Sequence, residues 1–142
     1  MASDALKNQA ALGFFRRFIV EGDGENKDLF DIKTRAIKPL VDAGRLLALS
    51  QGFTEITNTH HRFVKLAEQE PQYAELYEEC GEAFNTLQRF RTENGLINDS
   101  NGRYINLNEL SKTDKAKIKN CLQPIADVQD MIKNRFSLTY LS

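Results

Sequence analysis

The sequence has few cysteines, almost no net charge and no long hydrophobic run, and each absence narrows the class of protein. The two cysteines, Cys80 and Cys121, form no CxxC pair, so a reduced protein with buried thiols is favoured over a disulfide scaffold. Lys and Arg number 19 against 20 Asp and Glu, a net charge of −1, which removes the overall electrostatic case for binding nucleic acid or an anionic membrane. No stretch approaches the roughly 18 apolar residues of a membrane span, and the first residues lack a signal-peptide profile. We therefore expect a cytoplasmic protein with no nucleic-acid or membrane partner.

The composition that remains is that of one globular domain. Hydrophobic residues make up 41% and charged residues 27% of the 142 residues, a mix that excludes wholesale disorder. A chain of this length buries about 68–70% of its unfolded surface and needs no metal or disulfide to fold. We interpret residues 1–142 as a single helical domain, with 1–11 as the tail of a truncated helix, 14–33 as a β-hairpin and 36–136 as a helical bundle.

Four segments carry apolar residues at 3–4 spacing and predict helices. They run from Lys38 to Gln51, from a cap at Thr57 or Asn58 through Leu66, from Pro71 to Asn94-Gly95, and from a capping-box-like start at Ser111 to residue 136. The last helix contains Pro124, which we expect to bend it near Asn120. The predicted fold is mainly α, an up-and-down bundle of four to five helices with a small β-hairpin near the N-terminus.

The hairpin is predicted from two short apolar runs, Phe14–Val20 and Leu29–Lys33, which flank a polar turn with two glycines. Because a lone hairpin is marginal in water, it should lie against the helices. The first run interleaves phenylalanines with arginines, as a nucleic-acid platform does. The run is short and the chain is acidic, so a half-buried strand is the simpler interpretation.

Signatures of metal, nucleophilic and phosphate-loop chemistry are weak or missing. His60 and His61 are adjacent and point about 100° apart on a helix, whereas paired zinc ligands need i, i+4 spacing, so a surface pair is favoured. The segment 98–109 resembles a calcium loop, but no register places both its glycine and its last carboxylate correctly. GxGxxG, Walker and nucleophile-elbow motifs do not occur. The sequence therefore predicts no catalytic residue and no metal ligand.

Charged and polar residues cluster around the first two predicted helices. Asp31 and Lys33 would share one face of a strand, Asp42 and Arg45 lie one turn apart on the first helix, and Arg62 lies one turn beyond Asn58 on the second. These residues form either a structural ion-pair network or the wall of a polar pocket, and their spacing alone favours the network.

Several short motifs occur in an order that resembles a known family. They are Leu12–Phe18, Asp31-Ile32-Lys33, Pro39–Asp42, Arg45–Leu49, Asn58-Thr59-x-x-Arg62 and the last helix from Leu110-Ser111. Over residues 12–136 this order is similar to the putative nucleotidyltransferase substrate-binding domain family. Such domains lie at the carboxyl end of bacterial signal-transduction proteins that also carry cyclic-nucleotide-binding, CBS and nucleotidyltransferase domains. They look related to the helical regions of PII-protein uridylyltransferase and glutamine-synthetase adenylyltransferase.

The resemblance implies an accessory domain. The catalytic half of such proteins carries a Gly-Ser pair and an Asp-x-Asp, and neither occurs in this sequence. Since two-metal transfer needs those carboxylates, this chain alone should be inert. Mg²⁺ and a nucleoside triphosphate are implied for the catalytic domain, and no cofactor for this chain. The implied partners are that catalytic domain, in the same polypeptide, and an acceptor protein or small substrate.

Carried over position by position, the resemblance implies a group of residues that face the substrate site. They are Asp31, Lys33, Asp42, Arg45, Asn58, Thr59 and Arg62. The three basic residues among them would suit a phosphate or a carboxylate, which arginine binds bidentately. The chain departs from the family at Arg91–Gly95, where Arg-x-x-His-Gln is usual, and at Arg103 and Leu107, where Asn and Pro are common.

The rival hypothesis is a non-catalytic interaction bundle that forms a homodimer or docks a regulator. A large exposed apolar patch would favour that hypothesis. A concave polar pocket lined by the charged residues would favour substrate binding.

Overall fold

A computed structural model describes residues 20–22 and 24–141 of the chain. In these residues the elements are strand β1 (Phe30–Asp31), a π-helical turn (Lys33–Ile37), helix α1 (Lys38–Ser50), helix α2 (Thr59–Gln69), a 3₁₀ turn (Pro71–Tyr73), helix α3 (Ala74–Asn98), strand β2 (Tyr104–Ile105), a 3₁₀ turn (Leu107–Glu109) and helix α4 (Lys112–Leu141). The predicted fold class, mainly helical with a small antiparallel pair of strands, is confirmed. Within this part of the chain, none of the helices has the length and apolarity needed to cross a bilayer.

The predicted helix starts follow from local capping. Pro39 lies in the first turn of α1, where its missing N–H is tolerated. The Asn58 side chain accepts a hydrogen bond of 3.0 Å from the backbone N–H of His61 and so caps α2. At α4, Ser111 Oγ accepts one of 3.0 Å from the N–H of Asp114. These short-range polar contacts are why the starts can be read from the sequence.

The predicted end of the third helix at Asn94-Gly95 is wrong, because α3 continues to Asn98. It ends where Asp99 adopts a left-handed φ of 49° and the N–H of Ser100 donates to the Gly95 carbonyl at 2.9 Å. Gly95 is instead a point of close approach, since a Cβ there would lie 2.7 Å from the Ser100 carbonyl oxygen. Because Gly95 has no side chain, the following loop can pack on α3. The glycine does not end the helix.

The apolar stripes of the helices meet in one core. The stripe predicted on the last helix is buried, and Ile118, Ile125 and Ile132 are fully inaccessible. Both cysteines are free and buried, as predicted. Burial raises the pKa of the Cys121 thiol to about 11 and that of Cys80 further above its ordinary value, so both are protonated packing groups.

The two strands pair across a long stretch of sequence. Phe30 lies opposite Ile105, and Asp31 lies opposite Tyr104, in an antiparallel register. The polar turn before β1 closes as a hairpin turn would, with the Glu21 N–H donating to the Leu29 carbonyl at 3.0 Å. The first predicted hairpin strand lies outside the described residues apart from its end at residue 20, and so does the predicted tail at 1–11. The pairing of β1 with β2 was not predicted, because short-range patterns do not report contacts this distant.

The prediction that Lys33 shares a strand face with Asp31 is wrong. The chain becomes helical immediately after β1, and Lys33 is the first residue of the π-helical turn. Its side chain is exposed, whereas Asp31 is 3% exposed. The two residues therefore have different environments.

The close packing of the loop on α3 makes Gly102 sensitive to substitution. Its φ is +74°, and an added Cβ would overlap the carbonyl oxygen of Arg91 in the α3 backbone. We expect Gly102→Ala to lower the free energy of unfolding by about 3 kcal/mol or more, since backbone strain and a backbone clash add. Urea denaturation followed by circular dichroism measures the loss. Gly22→Ala is the control, because nothing lies within 4 Å of a Cβ at that position; equal stability of the two variants would contradict the packing described.

Candidate functional site

Helices α1 and α2 approach each other closely at Gly44. A Cβ at this position would lie 3.2 Å from Phe63 Cε2 and 3.6 Å from Thr59 Cγ2. Because Gly44 has no side chain, the buried ring of Phe63 packs directly on the backbone of α1. Thr59 is 4% exposed. Thr59, one of the predicted site residues, therefore packs in the contact between α1 and α2.

The close contact brings Arg45 of α1 near Arg62 of α2. Arg62 Nε donates to the Ile56 carbonyl at 2.8 Å, which fixes the guanidinium in place. Partial burial and the positive charge of Arg45 both lower the pKa of Arg62 from its ordinary value. Neither arginine forms a salt bridge with a carboxylate in the part of the chain that the structure describes. We call these two guanidinium groups the arginine pair.

The arginine pair has the charge and donors of an anion site. A guanidinium presents several N–H donors in a planar fork that matches a phosphate or a carboxylate. The first turn of α2 adds the partial positive charge of a helix N-terminus. Asn58 belongs to the same turn, but its side-chain oxygen accepts the capping hydrogen bond from His61. Its role here is to fix the start of α2 and, through it, Arg62.

Asp42 is the acidic neighbour of this site on α1. It is 9% exposed, and its Oδ2 lies 2.6 Å from Lys38 Nζ one turn earlier. Because Lys38 compensates its charge, Asp42 does not neutralise Arg45, which lies on the following turn. Among the described residues, the arginine pair therefore has no carboxylate partner.

Asp31 belongs to a separate, partly buried network at the sheet. Its Oδ1 accepts from Arg103 Nε at 3.0 Å and its Oδ2 from Arg103 Nη2 at 2.8 Å. The N–H of Thr34 adds a bond of 3.1 Å to Oδ1. Burial alone would raise the pKa of Asp31, but the hydrogen bonds from Arg103 and Thr34 outweigh burial, and the net pKa is lowered. Asp31 therefore belongs to a structural ion-pair network, which is the alternative that the spacing in the sequence favoured.

The predicted site residues are therefore divided among different places. The junction of α1 and α2 brings together Arg45, Asn58, Thr59 and Arg62, and Asp42 lies one turn away with its own partner. Asp31 is paired at the sheet, and Lys33 is exposed beside it. His60 and His61 stack edge to face at 5.9 Å, and no group of three possible metal ligands occurs among residues 20–22 and 24–141.

A groove that the sequence analysis missed runs between α3 and α4. It encloses about 610 Å³ and contains none of the predicted site residues. The sequence signal for this groove is a second row of residues at 3–4 spacing on α3, beside the row that faces the core. The members of this second row are Glu79, Ala83, Thr86, Phe90 and Glu93. Because most of them are polar or small, the second row is not recognisable as a buried face.

Two departures from the family pattern have structural roles in this chain. Arg103 supplies the partner of Asp31. The Asn94 side chain donates to the carbonyls of Gly102 at 3.0 Å and Tyr104 at 2.9 Å. The end of α3 therefore holds the loop that leads to β2.

The described chain is a helical bundle in which two guanidinium groups, Arg45 and Arg62, lie near each other. A family model described as "Putative nucleotidyltransferase substrate binding domain" matches residues 1–136. The chain belongs to this family, whose description is that of a domain that binds substrate for a nucleotidyltransferase. Searches of the curated proteins and of the solved structures found no match.

The buried charge of Asp31 makes stability depend on pH. Its folded pKa is below the ordinary value of 3.8, so its contribution is fully present above about pH 5 and is lost as the pH falls through the folded pKa. We expect Asp31→Asn to cost about 2 kcal/mol at pH 7, because charge-assisted hydrogen bonds are lost, and to cost clearly less at low pH.

Denaturant titrations at several pH values measure this dependence. Glu68→Gln, which is exposed on α2, serves as the control and should follow the wild type throughout. A cost of Asp31→Asn that is the same at every pH would show that the carboxylate charge is not what stabilises the fold.

Proposed function

We propose that this chain is the accessory substrate-binding domain of a nucleotidyltransferase, and that the arginine pair holds an anionic group of the substrate or acceptor. Membership of the family supports the accessory role. The site is supported by one observation, the two neighbouring guanidinium groups without a carboxylate partner among the described residues. Like charges are held together at a cost, and a bound anion removes that cost.

Within this proposal, the predicted residues have unequal roles. Arg62 is fixed by the Ile56 carbonyl and supplies a preorganised fork, while the exposed Arg45 completes the contact. Asn58 and Thr59 are positioning residues, which fix the start of α2 and its contact with α1. Asp42 pairs with Lys38 beside the site, whereas Asp31 pairs with Arg103 at the sheet and has no part in it.

The proposal extends to the protein that contains this domain. We propose a cytoplasmic bacterial signal-transduction protein with CBS and cyclic-nucleotide-binding domains, similar in its chemistry to PII uridylyltransferase. Its catalytic domain, in the same polypeptide, would use Mg²⁺ and a nucleoside triphosphate. This chain would contribute binding and orientation of the acceptor, and the catalytic domain would contribute the carboxylates for two-metal transfer.

A second candidate function, the non-catalytic interaction bundle, is favoured by an exposed apolar pair. Leu96 is 79% exposed and Ile97 is 82% exposed at the end of α3. Adjacent large apolar side chains this exposed suit a surface that contacts another domain or a second copy of the chain. The two candidates are separable, because the apolar pair and the arginine pair involve different helices.

The arginine pair is tested by removing one guanidinium. We expect Arg45→Ala to weaken binding of inorganic pyrophosphate about tenfold or more, since a charge-assisted contact is lost. The free energy of unfolding should change little, because Arg45 is exposed and its removal relieves the repulsion with Arg62. Isothermal titration calorimetry measures the affinity, and thermal unfolding measures the stability.

The matched control is Arg89→Ala, an exposed arginine on α3. It should bind pyrophosphate as the wild type does. In the intact protein, the double change Lys33→Ala with Arg45→Ala should impair transfer to the acceptor. Unchanged pyrophosphate affinity in Arg45→Ala, or a large loss of stability, would return Arg45 to a structural role.

A further inference from the structure

The groove between α3 and α4 is elongated. Its lining extends from Glu79 to Glu93 along α3 and from Asp114 to Pro124 along α4. At 1.5 Å per residue, the α3 side is about 20 Å long, or about four helical turns. A contact of Cys80 Sγ with the Pro124 carbonyl at 3.6 Å shows where the two helices meet beneath it. This shape suits a rod-like ligand better than a compact small molecule.

The floor of the groove is apolar and uncharged. Ala83 is 4% exposed and Cys121 is 7% exposed, Pro124 is also buried, and Phe90 is half-buried. Because three of these side chains are small, the helices leave a trough above them. Burial raises the pKa of Cys121 to about 11, so its thiol carries no charge at neutral pH. A ligand that covers this floor must present apolar groups.

The walls of the groove are acidic. Four carboxylates line it against two cations; the acidic residues are Glu79, Glu82, Glu93 and Asp114, and the basic ones are Arg89 and Lys117. None of these carboxylates forms a salt bridge elsewhere in the described chain. The excess of negative charge is local, since the whole chain carries a net charge of only −1.

We infer that this groove is the docking site for a basic amphipathic helix of a partner protein. Apolar side chains at 3–4 spacing on one face of that helix would cover Ala83 and Cys121, as in helix-in-groove recognition. Lysines and arginines flanking that face would meet the carboxylates of the walls. A small cation could neutralise the walls but would leave the floor uncovered. The inference is independent of the arginine pair, which lies on α1 and α2.

A synthetic peptide tests the inference on the whole chain. The probe is a fluorescent amphipathic peptide of about 15 residues, long enough for four turns, with leucines at 3–4 spacing and lysines elsewhere. A peptide with glutamates in place of the lysines is its control. We expect saturable binding of the lysine peptide, a gain of peptide helicity on binding, and no binding of the glutamate peptide.

Two groove variants locate the bound peptide. The charge reversal Glu82→Lys with Glu93→Lys should weaken binding about tenfold or more. Glu75→Lys with Glu78→Lys is the matched control, because it makes the same charge change on exposed residues of α3 outside the groove, and it should alter affinity less than about threefold. Thr86→Phe fills the groove without changing charge and should weaken binding about fivefold or more. Circular dichroism confirms that each variant is folded.

Several outcomes would overturn the inference. Equal weakening by both charge reversals would mean that the peptide responds to the general charge of α3. Unchanged binding in Thr86→Phe would mean that the peptide does not enter the groove. A wild-type dimer that Thr86→Phe dissociates would assign the groove to a second copy of the chain. Binding of spermidine without binding of the peptide would assign it to a small cation.

Discussion

The packing of α2 between two glycines is the constraint on which the rest of the structure depends. On one side, Gly44 of α1 receives Phe63, and on the other, Gly81 of α3 lies where a Cβ would be 3.2 Å from the ring of His60. A Cβ at either glycine would be closer than an ordinary van der Waals contact, so the missing side chains let α2 lie at short distance from both neighbours. The repulsion between Arg45 and Arg62 is tolerated because this packing fixes the helices that carry them. The two guanidinium groups are thereby positioned by packed helices, together with the Ile56 carbonyl of the segment that connects them.

Two pairs, each of a buried carboxylate and a partly exposed arginine, join separate parts of the bundle. Asp31 with Arg103 joins β1 to the connection between α3 and α4. Glu70 accepts from Arg135 Nη2 at 2.9 Å and from the Tyr77 hydroxyl at 2.8 Å, which joins the end of α2 to α3 and α4. Burial and the neighbouring carboxylate raise the pKa of Tyr77, so its hydroxyl stays a donor. Breaking such a pair leaves an uncompensated buried charge, so these contacts also favour one arrangement of the helices.

The sequence predicts those parts of the fold that short-range chemistry determines. Helix periodicity and the caps at Asn58 and Ser111 depend on residues within one or two turns, and these predictions are confirmed. The end of α3 was misplaced because Gly95 serves a contact with a loop, and a glycine signal does not distinguish packing from termination. The pairing of β1 with β2 and the Asp31–Arg103 bond join residues far apart in the chain, so no local pattern reports them. For the same reason, the sequence analysis placed in one site several residues that the fold separates. The approach of Arg45 to Arg62 depends on the packing at Gly44, which no local pattern reports. Their role in binding stays a prediction.

The arginine pair is asymmetric, and in the proposed site this asymmetry would affect which ligands it accepts. One guanidinium is tethered through its Nε to a backbone carbonyl, while the other sits at the end of an exposed side chain. The guanidinium of Arg62 is therefore fixed, whereas that of Arg45 is free to change its position. In the proposed anion site, the tethered guanidinium of Arg62 would set the position of the first anionic oxygen, and Arg45 would adjust to the distance of the second. Under this proposal, the pair would select ligands by their charge and would tolerate differences in their length.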